Sequence, residues 1–296
     1  MSGRVRFPEI YNALSDEEKA QRESDAKKLL AAFMALILSI SRDSEVEAAL
    51  YELMRLRSEI AVSYLLKGLG ISRDDALMLI KNIDDNSLTR FDIELRNRLV
   101  AGIRNLVDFS VAAEYQAYLS IPERIDMDDQ EMLSEYEELS NRYHLTYAGV
   151  EHGDVEYAAS VALKWITAYS AGTTLMYLTM NDDRVRPWHR ALEGFSAPRD
   201  MFPAWMIPPI EWGCRCYLVD VSGDVVENRL KVSAKAPAKP LQIDNVFSES
   251  LAKCGRIFGK SHPYFRVRKE HAAKLMEYSE RIIREDYAKE ILLVEQ

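Results

Sequence analysis

Between residues 88 and 119 the apolar positions Leu95, Leu99, Ile103, Leu106 and Ser110–Val111 recur every three or four residues, the spacing of one face of an α-helix. The charged residues Glu94, Arg96, Arg98 and Arg104 take the opposite side. Pro122 ends the run, because proline cannot donate its backbone nitrogen and clashes with the preceding turn. The neighbouring sequence agrees with this pattern. Ser15 with Glu18, and Ser44 with Glu47, fit a capping box, in which the serine accepts a free backbone N–H and the glutamate reaches back. Ser72 with Asp75 is a similar start. The apolar run at 29–40 is too short to cross a bilayer and reads as a buried helix. Further helices are expected at about 127–141 and 154–169. Glycine is scarce before position 149, which suits long helices with short joints.

The composition changes after Gly172. Residues 173–180 are rich in β-formers and precede an Asn-Asp-Asp turn; residues 216–221 are a second short strand candidate. Residues 233–240, rich in Ala, Lys and Pro, read as a linker. A short helix near 246–258 and a turn containing His262 and Tyr264 come next, then a charged helix from about 268. The expected class is α+β, predominantly α. A long-helix N-terminal body (1–150) carries a smaller, loop-rich mixed α/β module near the C-terminus (151–265), and a charged helix (266–296) follows.

That module holds the unusual chemistry. One of five histidines and two of three cysteines, His189, Cys214 and Cys216, fall within 28 residues, and residues 184–216 hold three of four tryptophans and five of ten prolines. Three readings are open. A C-x-C pair and an imidazole can hold a tetrahedral zinc, with Asp182, Asp183, Glu211, Cys254 or His262 as a fourth ligand. A thiol activated by His189 and oriented by Asp200 or Asp182 is a nucleophile. Packing is the third: Arg184, Arg186, Arg190, Arg199 and Arg215 alternate with Asp182, Asp183, Glu193, Asp200 and Glu211, and can pair with them or stack on Trp188, Trp205 or Trp212. Pro203, Pro208 and Pro209 hold extended backbone.

The totals narrow the setting. A net charge of −9 argues against a protein that coats nucleic acid. The residues Arg256, Lys260, Arg266, Arg268 and Lys269 read as a solvated helix face and loop. An odd number of cysteines suits a reducing compartment, and the first thirty residues are unlike a signal peptide. A cytoplasmic protein without a membrane anchor is expected. His144, His152 and His271 read as ordinary surface or core histidines.

The residues Asp183, Arg184–Val185–Arg186, His189, Leu192, Gly194, Pro208–Pro209 and Cys214–Arg215–Cys216 resemble, in order and spacing, the motif of the phage Mu F-like minor head proteins, also called phage head morphogenesis proteins. The segment with His262 and Tyr264 is similar to one found downstream in some members. Some relatives place a C-x-x-C where this chain has Arg186–Pro187–Trp188–His189, and a further histidine before the final C-x-C. Those relatives look like zinc binders with a full ligand set; this chain keeps His189 and has Arg186 at the other position.

The resemblance implies a non-enzymatic minor capsid protein of a tailed phage or prophage. Such a protein acts in procapsid assembly near the portal and is retained in the head or ejected with DNA. Its expected partners are the portal protein and other head or scaffold proteins, with no membrane; contact with DNA inside the head is conceivable but not indicated. Its expected locations are the virion and, during assembly, the host cytoplasm. Its motif residues are expected to be structural, with one structural zinc at His189, Cys214 and Cys216 as the candidate cofactor. About 75 residues follow Val221, short for the separate toxin domain that some members carry. The alternatives are a phage-delivered effector or enzyme that uses the His189/Cys214/Cys216 region, and a stand-alone zinc-binding adaptor.

Overall fold

A computed structural model describes residues 14–122, 125–226, 232–233, 237–238 and 245–293. In chain order the main elements are α1 (Asp16–Ser41), α2 (Val46–Leu69), α3 (Arg73–Lys81), α4 (Arg90–Leu119) and α5 (Gln130–Ser140). A π-helical segment (Asn141–Tyr147) leads into α6 (Ala148–Thr167). Then come β1 (Thr174–Leu178), α7 (Pro187–Arg190), β2 (Ser196–Pro198), β3 (Tyr217–Asp220), α8 (Ser222–Val226) and α9 (Lys269–Asp286). The chain is predominantly α-helical with one small antiparallel sheet among the described residues, the class expected from the sequence.

Local signals account for most helix starts. Ser15 and Glu18 form the complete capping box of α1, and Ser72 accepts the Asp75 N–H at the start of α3. Leu29, Phe33, Leu36 and Ile37 are fully buried, so the 29–40 run is a core helix face. The expected box at Ser44 does not form. Glu45 sits at φ 56°, and its carbonyl accepts the first helical bond from Ala49. The tight turn after α1 takes that position into the left-handed region instead. In α4 the apolar stripe is buried as expected, but Arg98 is buried too, donating to the carbonyl of Ala252 at 2.9 Å. The helix expected near 246–258 is two 3₁₀ turns (Asn245–Phe247 and Leu251–Lys253), with Cys254 in the left-handed region after the second. The linker expected at 233–240 lies largely outside the described residues.

The chain forms two compact units. One comprises Leu65–Gly102 and the described parts of Asp154–Ser261; the other comprises the described parts of Val5–Tyr64, Ile103–Gly153 and His262–Gln296. In the first unit the sheet order is β2-β1-β3, with Met176 opposite both Ser196 and Val219. Leu175 and Tyr177, two residues apart on β1, are fully buried on one face of the central strand. The end of α2 meets α6 through Gly68. A Cβ there would lie 2.4 Å from the Glu156 carbonyl oxygen and 2.6 Å from the Ala159 Cβ. Alanine in an open helix gains about 1 kcal/mol over glycine. At this site the clash with backbone reverses the sign, and Gly68→Ala is expected to destabilise by roughly 1–3 kcal/mol. A urea midpoint equal to or above wild type would contradict this close approach.

The second unit is clasped by α9. Arg55 makes two 2.6 Å bonds to Asp286, Tyr51 donates to Glu285 at 2.8 Å, and the Arg281 guanidinium lies 4.1 Å from the Tyr51 ring centroid. His152 stacks on Tyr64, and His262 packs edge-on against Phe109. Burial, then the charges of Arg57 and Arg22, push His152 well down; burial, then Arg57 and Arg266, push His262 down to about 4. The unfolded chain takes up these protons near pH 6.5 and the folded chain does not, so stability falls as pH falls. From pH 7 to pH 5, His262 alone is expected to cost about 2 kcal/mol. His262→Asn, which can still cap the turn at Pro263, should flatten that part of the profile. An unchanged slope would refute the assignment.

Candidate functional site

Strand β1 and its neighbours place the three sulfur and imidazole groups. After β1 the chain turns through Asp182 and enters α7, whose first residue is Pro187. Proline at that position costs no hydrogen bond, and its φ suits a helix start. His189 is thereby turned inward and is 2 % exposed. Gly194, at φ 82°, reverses the chain so that its N–H reaches the Tyr177 carbonyl at 2.9 Å and β2 pairs with β1. A side chain is strained at that φ, which accounts for glycine there. Pro208 and Pro209 are buried. The loop that follows brings Cys214 and Cys216 into the unit at the start of β3, both buried.

The three groups converge. His189 Nδ1 lies 3.2 Å from Cys216 Sγ and 3.8 Å from Cys214 Sγ, and the three ligand atoms all fall within 4.8 Å of one another. On the other side of the ring, Nε2 faces Glu211 Oε2 at 3.3 Å, and Arg186 Nε approaches the same oxygen at 3.0 Å. Arg186 also donates to the Trp212 carbonyl at 2.6 Å. Trp188 packs against the His189 ring, with centroids 3.9 Å apart.

The surroundings shift the groups of the cluster in different directions. Burial pushes the Cys214 thiol up, and its hydrogen bond to Cys216 adds to this. The same bond lowers Cys216, helped against burial by the Tyr177 hydroxyl and by the charges of Arg186 and Arg215. Burial lowers His189, but bonds to Cys214 and Glu211 outweigh it and raise the group. Burial, then the two cysteines, push Tyr177 far up.

The geometry also suits a metal. Tetrahedral zinc with Zn–N near 2.05 Å and Zn–S near 2.3 Å separates nitrogen from sulfur by about 3.5 Å, and the two observed separations bracket that value. A ligand histidine normally gives its other nitrogen to a carboxylate, and Glu211 stands there. The fourth ligands considered from the sequence do not join the group. Asp182 accepts Arg215 on both oxygens at 2.8 Å, and that bond holds its carboxyl below the usual range. Asp183 is exposed on the surface, Cys254 is exposed, and His262 belongs to the other unit.

The expected arginine pairs form in part. Arg186 meets Glu211, Arg215 meets Asp182 and Arg199 meets Asp200, while Glu193 instead accepts the Thr179 hydroxyl at 2.5 Å. Arg190 bonds Asn181 and the Asp182 carbonyl, and Arg184 donates its N–H to Asp182. Arg199 lies over Trp165, outside the motif, at 5.2 Å; Trp212 packs on Phe247 and Phe258.

One stripe of α6 was not anticipated. Asp154 accepts the Gly213 N–H on both oxygens at 3.0 Å, Tyr157 donates to the Cys216 carbonyl, and Lys164 reaches the Leu218 carbonyl at 3.5 Å. Three and ten residues apart, they share one helix face. Just beyond the helix, Tyr169 donates to the same Leu218 carbonyl at 2.9 Å. These groups dock the Cys-Arg-Cys strand onto the helix. The available signal was a run of polar side chains at helical spacing inside an otherwise apolar helix.

Residues 123–219 match the family model described as Phage Mu protein F like protein. The match takes in α5 and α6 as well as the motif, so Asp154 and Tyr157 lie within it. No curated protein and no solved structure matches the chain.

Proposed function

We propose that this chain, a phage head morphogenesis protein by its Mu F-like segment, is a non-enzymatic minor head component that acts in procapsid assembly near the portal. Its partners are other phage head proteins, the portal among them in this reading, and its place is the virion after assembly in the host cell. No helix among the described residues is long and apolar enough to cross a membrane. One observation carries the structural reading. The motif side chains are engaged with each other and with backbone: Arg186 on Glu211 and the Trp212 carbonyl, Arg215 on Asp182, Gly194 in the turn that pairs β2 with β1. Residues committed in this way hold loops in place.

In the same reading His189, Cys214 and Cys216 hold one structural zinc-class ion. Supplied with that ion, the site would join α7 to the start of β3 through bonds stronger than the thiol contacts. Glu211 would orient the imidazole, and Arg186 would hold Glu211.

The test is co-expression with a phage portal protein and major head protein, comparing wild type with Cys214→Ser. Head-sized particles that contain the chain, co-purification with portal, and lower infectious yield in the variant are expected. Normal heads in a strain lacking the chain, with loss of a toxic or hydrolytic effect on the host, would instead favour a delivered effector.

A further inference from the structure

We propose that Cys214 and Cys216 are a redox modification site: a peroxide oxidises them to an intramolecular disulfide in the folded chain, Cys216 reacting first and Cys214 closing the bridge. The bridge does not require the ion of the metal reading above, and it removes that ion's two sulfur ligands.

The two sulfurs are neighbours. Both cysteines are free, and their Sγ atoms lie, with a ring nitrogen of His189, within 4.8 Å of one another. Residues 214–216 carry no regular structure, and the pairing of β3 with β1 begins at Tyr217. Closing the remaining gap therefore breaks no strand pairing. Positions two apart in a chain have Cα atoms at most about 7 Å apart, at the upper end of what a disulfide spans. A bridge of that kind is strained and readily reduced, so the modification is reversible.

Only one of the two sulfurs lies beside an opening. A cavity of about 20 Å³ has the buried Cys216 and His189 and the exposed Met180 and Arg184 in its wall, and Cys214 is not part of that wall. A space of that size holds about one water. It has room for the one oxygen that a peroxide gives to sulfur, with the departing oxygen on the side of Met180 and Arg184.

The chemistry balances with the peroxide as the oxidant. The Cys216 sulfur attacks one peroxide oxygen and the O–O bond breaks; the thiol proton leaves with the departing hydroxide as water. Cys214 then attacks the sulfur of the resulting sulfenic acid. The S–S bond forms, the S–O bond breaks, and the Cys214 proton leaves with the hydroxyl as a second water. Two thiols give up two electrons, and one peroxide is reduced to two waters.

The test uses the full chain with Cys254→Ser, which removes the exposed third thiol, stripped of metal and treated with hydrogen peroxide. The readouts are the alkylatable thiols and the mass of the peptide that carries both cysteines. Both thiols should disappear together in a monomeric chain, the peptide should become lighter by two hydrogens, and a dithiol reductant should reverse the change. Oxygen taken up by the exposed Met180 leaves the thiol count untouched. Adding Cys214→Ser should halt the reaction at a Cys216 sulfenic acid that dimedone traps. Adding Cys216→Ser instead should leave Cys214 reacting several-fold more slowly. Thiols that persist, a bridge between two chains, or oxidation beyond the sulfenic acid without a bridge would overturn the proposal in the Cys254→Ser chain alone. Equal rates in the two further variants would overturn the order of attack. Zinc is then offered to the reduced and the bridged chain, and uptake by the reduced form only is expected. Equal uptake by both would overturn the exclusion of the ion by the bridge; uptake by neither would overturn the metal reading and leave the disulfide standing.

Discussion

Arg57→Met is expected to lower the stability of the fold by about 3–5 kcal/mol, the cost of removing one partner from a buried ion network. Arg57 is 1 % exposed and donates to Glu114 at 2.8 Å and to Glu151 at 2.7 Å. Glu114 also meets His144 Nε2 at 3.0 Å, whose Nδ1 lies 2.7 Å from the Ser140 hydroxyl. The two carboxylates differ in their surroundings. Burial raises Glu114, but His144 and Arg57 together bring it below the ordinary value, whereas for Glu151 burial outweighs Arg57 and the group is raised.

Without Arg57 the Glu151 carboxyl, already raised by burial, loses the charge that opposes that rise. A raised acid favours folding only while protonated, so the deficit should be largest at pH 7 and shrink toward pH 4. The combined replacement Arg57→Met, Glu114→Leu and Glu151→Leu should recover much of the loss, because no charge is then stranded. Urea unfolding at both pH values measures this. A loss under about 1 kcal/mol in the single variant would mean that water reaches the network.

If the group holds zinc as proposed, the ion is expected to raise the stability of the wild-type chain by about 4 kcal/mol at a free concentration a thousandfold above its dissociation constant, and the gain should disappear in Cys214→Ser and in His189→Ala. The nitrogen–sulfur separations of 3.2 and 3.8 Å require little rearrangement to accept the ion. Both thiols must lose their protons, so binding weakens as pH falls. Glu211→Gln removes the charge behind the imidazole and should reduce metal affinity 10- to 100-fold without abolishing it. Thermal unfolding with zinc and with a chelator, beside elemental analysis, decides the matter. Equal midpoints in wild type, or the same zinc shift in Cys214→Ser, would exclude the ion and leave Arg186, Arg215 and the aromatic contacts as the module's ties.

Local rules located much of the architecture. Ser15 with Glu18 and Ser72 mark real helix starts, the stripe through Leu95 and Leu106 is buried, and β1 and β3 lie inside the two β-rich runs. Each signal depends on residues within a few positions of each other, which is the range over which capping and periodicity act. The order and spacing of Arg184–Val185–Arg186, His189, Gly194, Pro208–Pro209 and Cys214–Arg215–Cys216 likewise carried the resemblance to the family whose model matches residues 123–219.

Tertiary structure decided the rest, because its partners are far apart in the chain. Strand β2 is three residues that become a strand by pairing with β1, and its own sequence, Ser-Ala-Pro, carries no β signal. Arg98 has the charge of a surface residue and is buried because a carbonyl 154 positions away accepts it. His144 looked ordinary until Glu114, 30 positions away, supplied its partner. Asp154 and Tyr157 read as helix residues, and only folding brings the Gly213 amide and the Cys216 carbonyl to them. A residue's type sets which bonds it can make; burial against a distant segment determines which of them it must make.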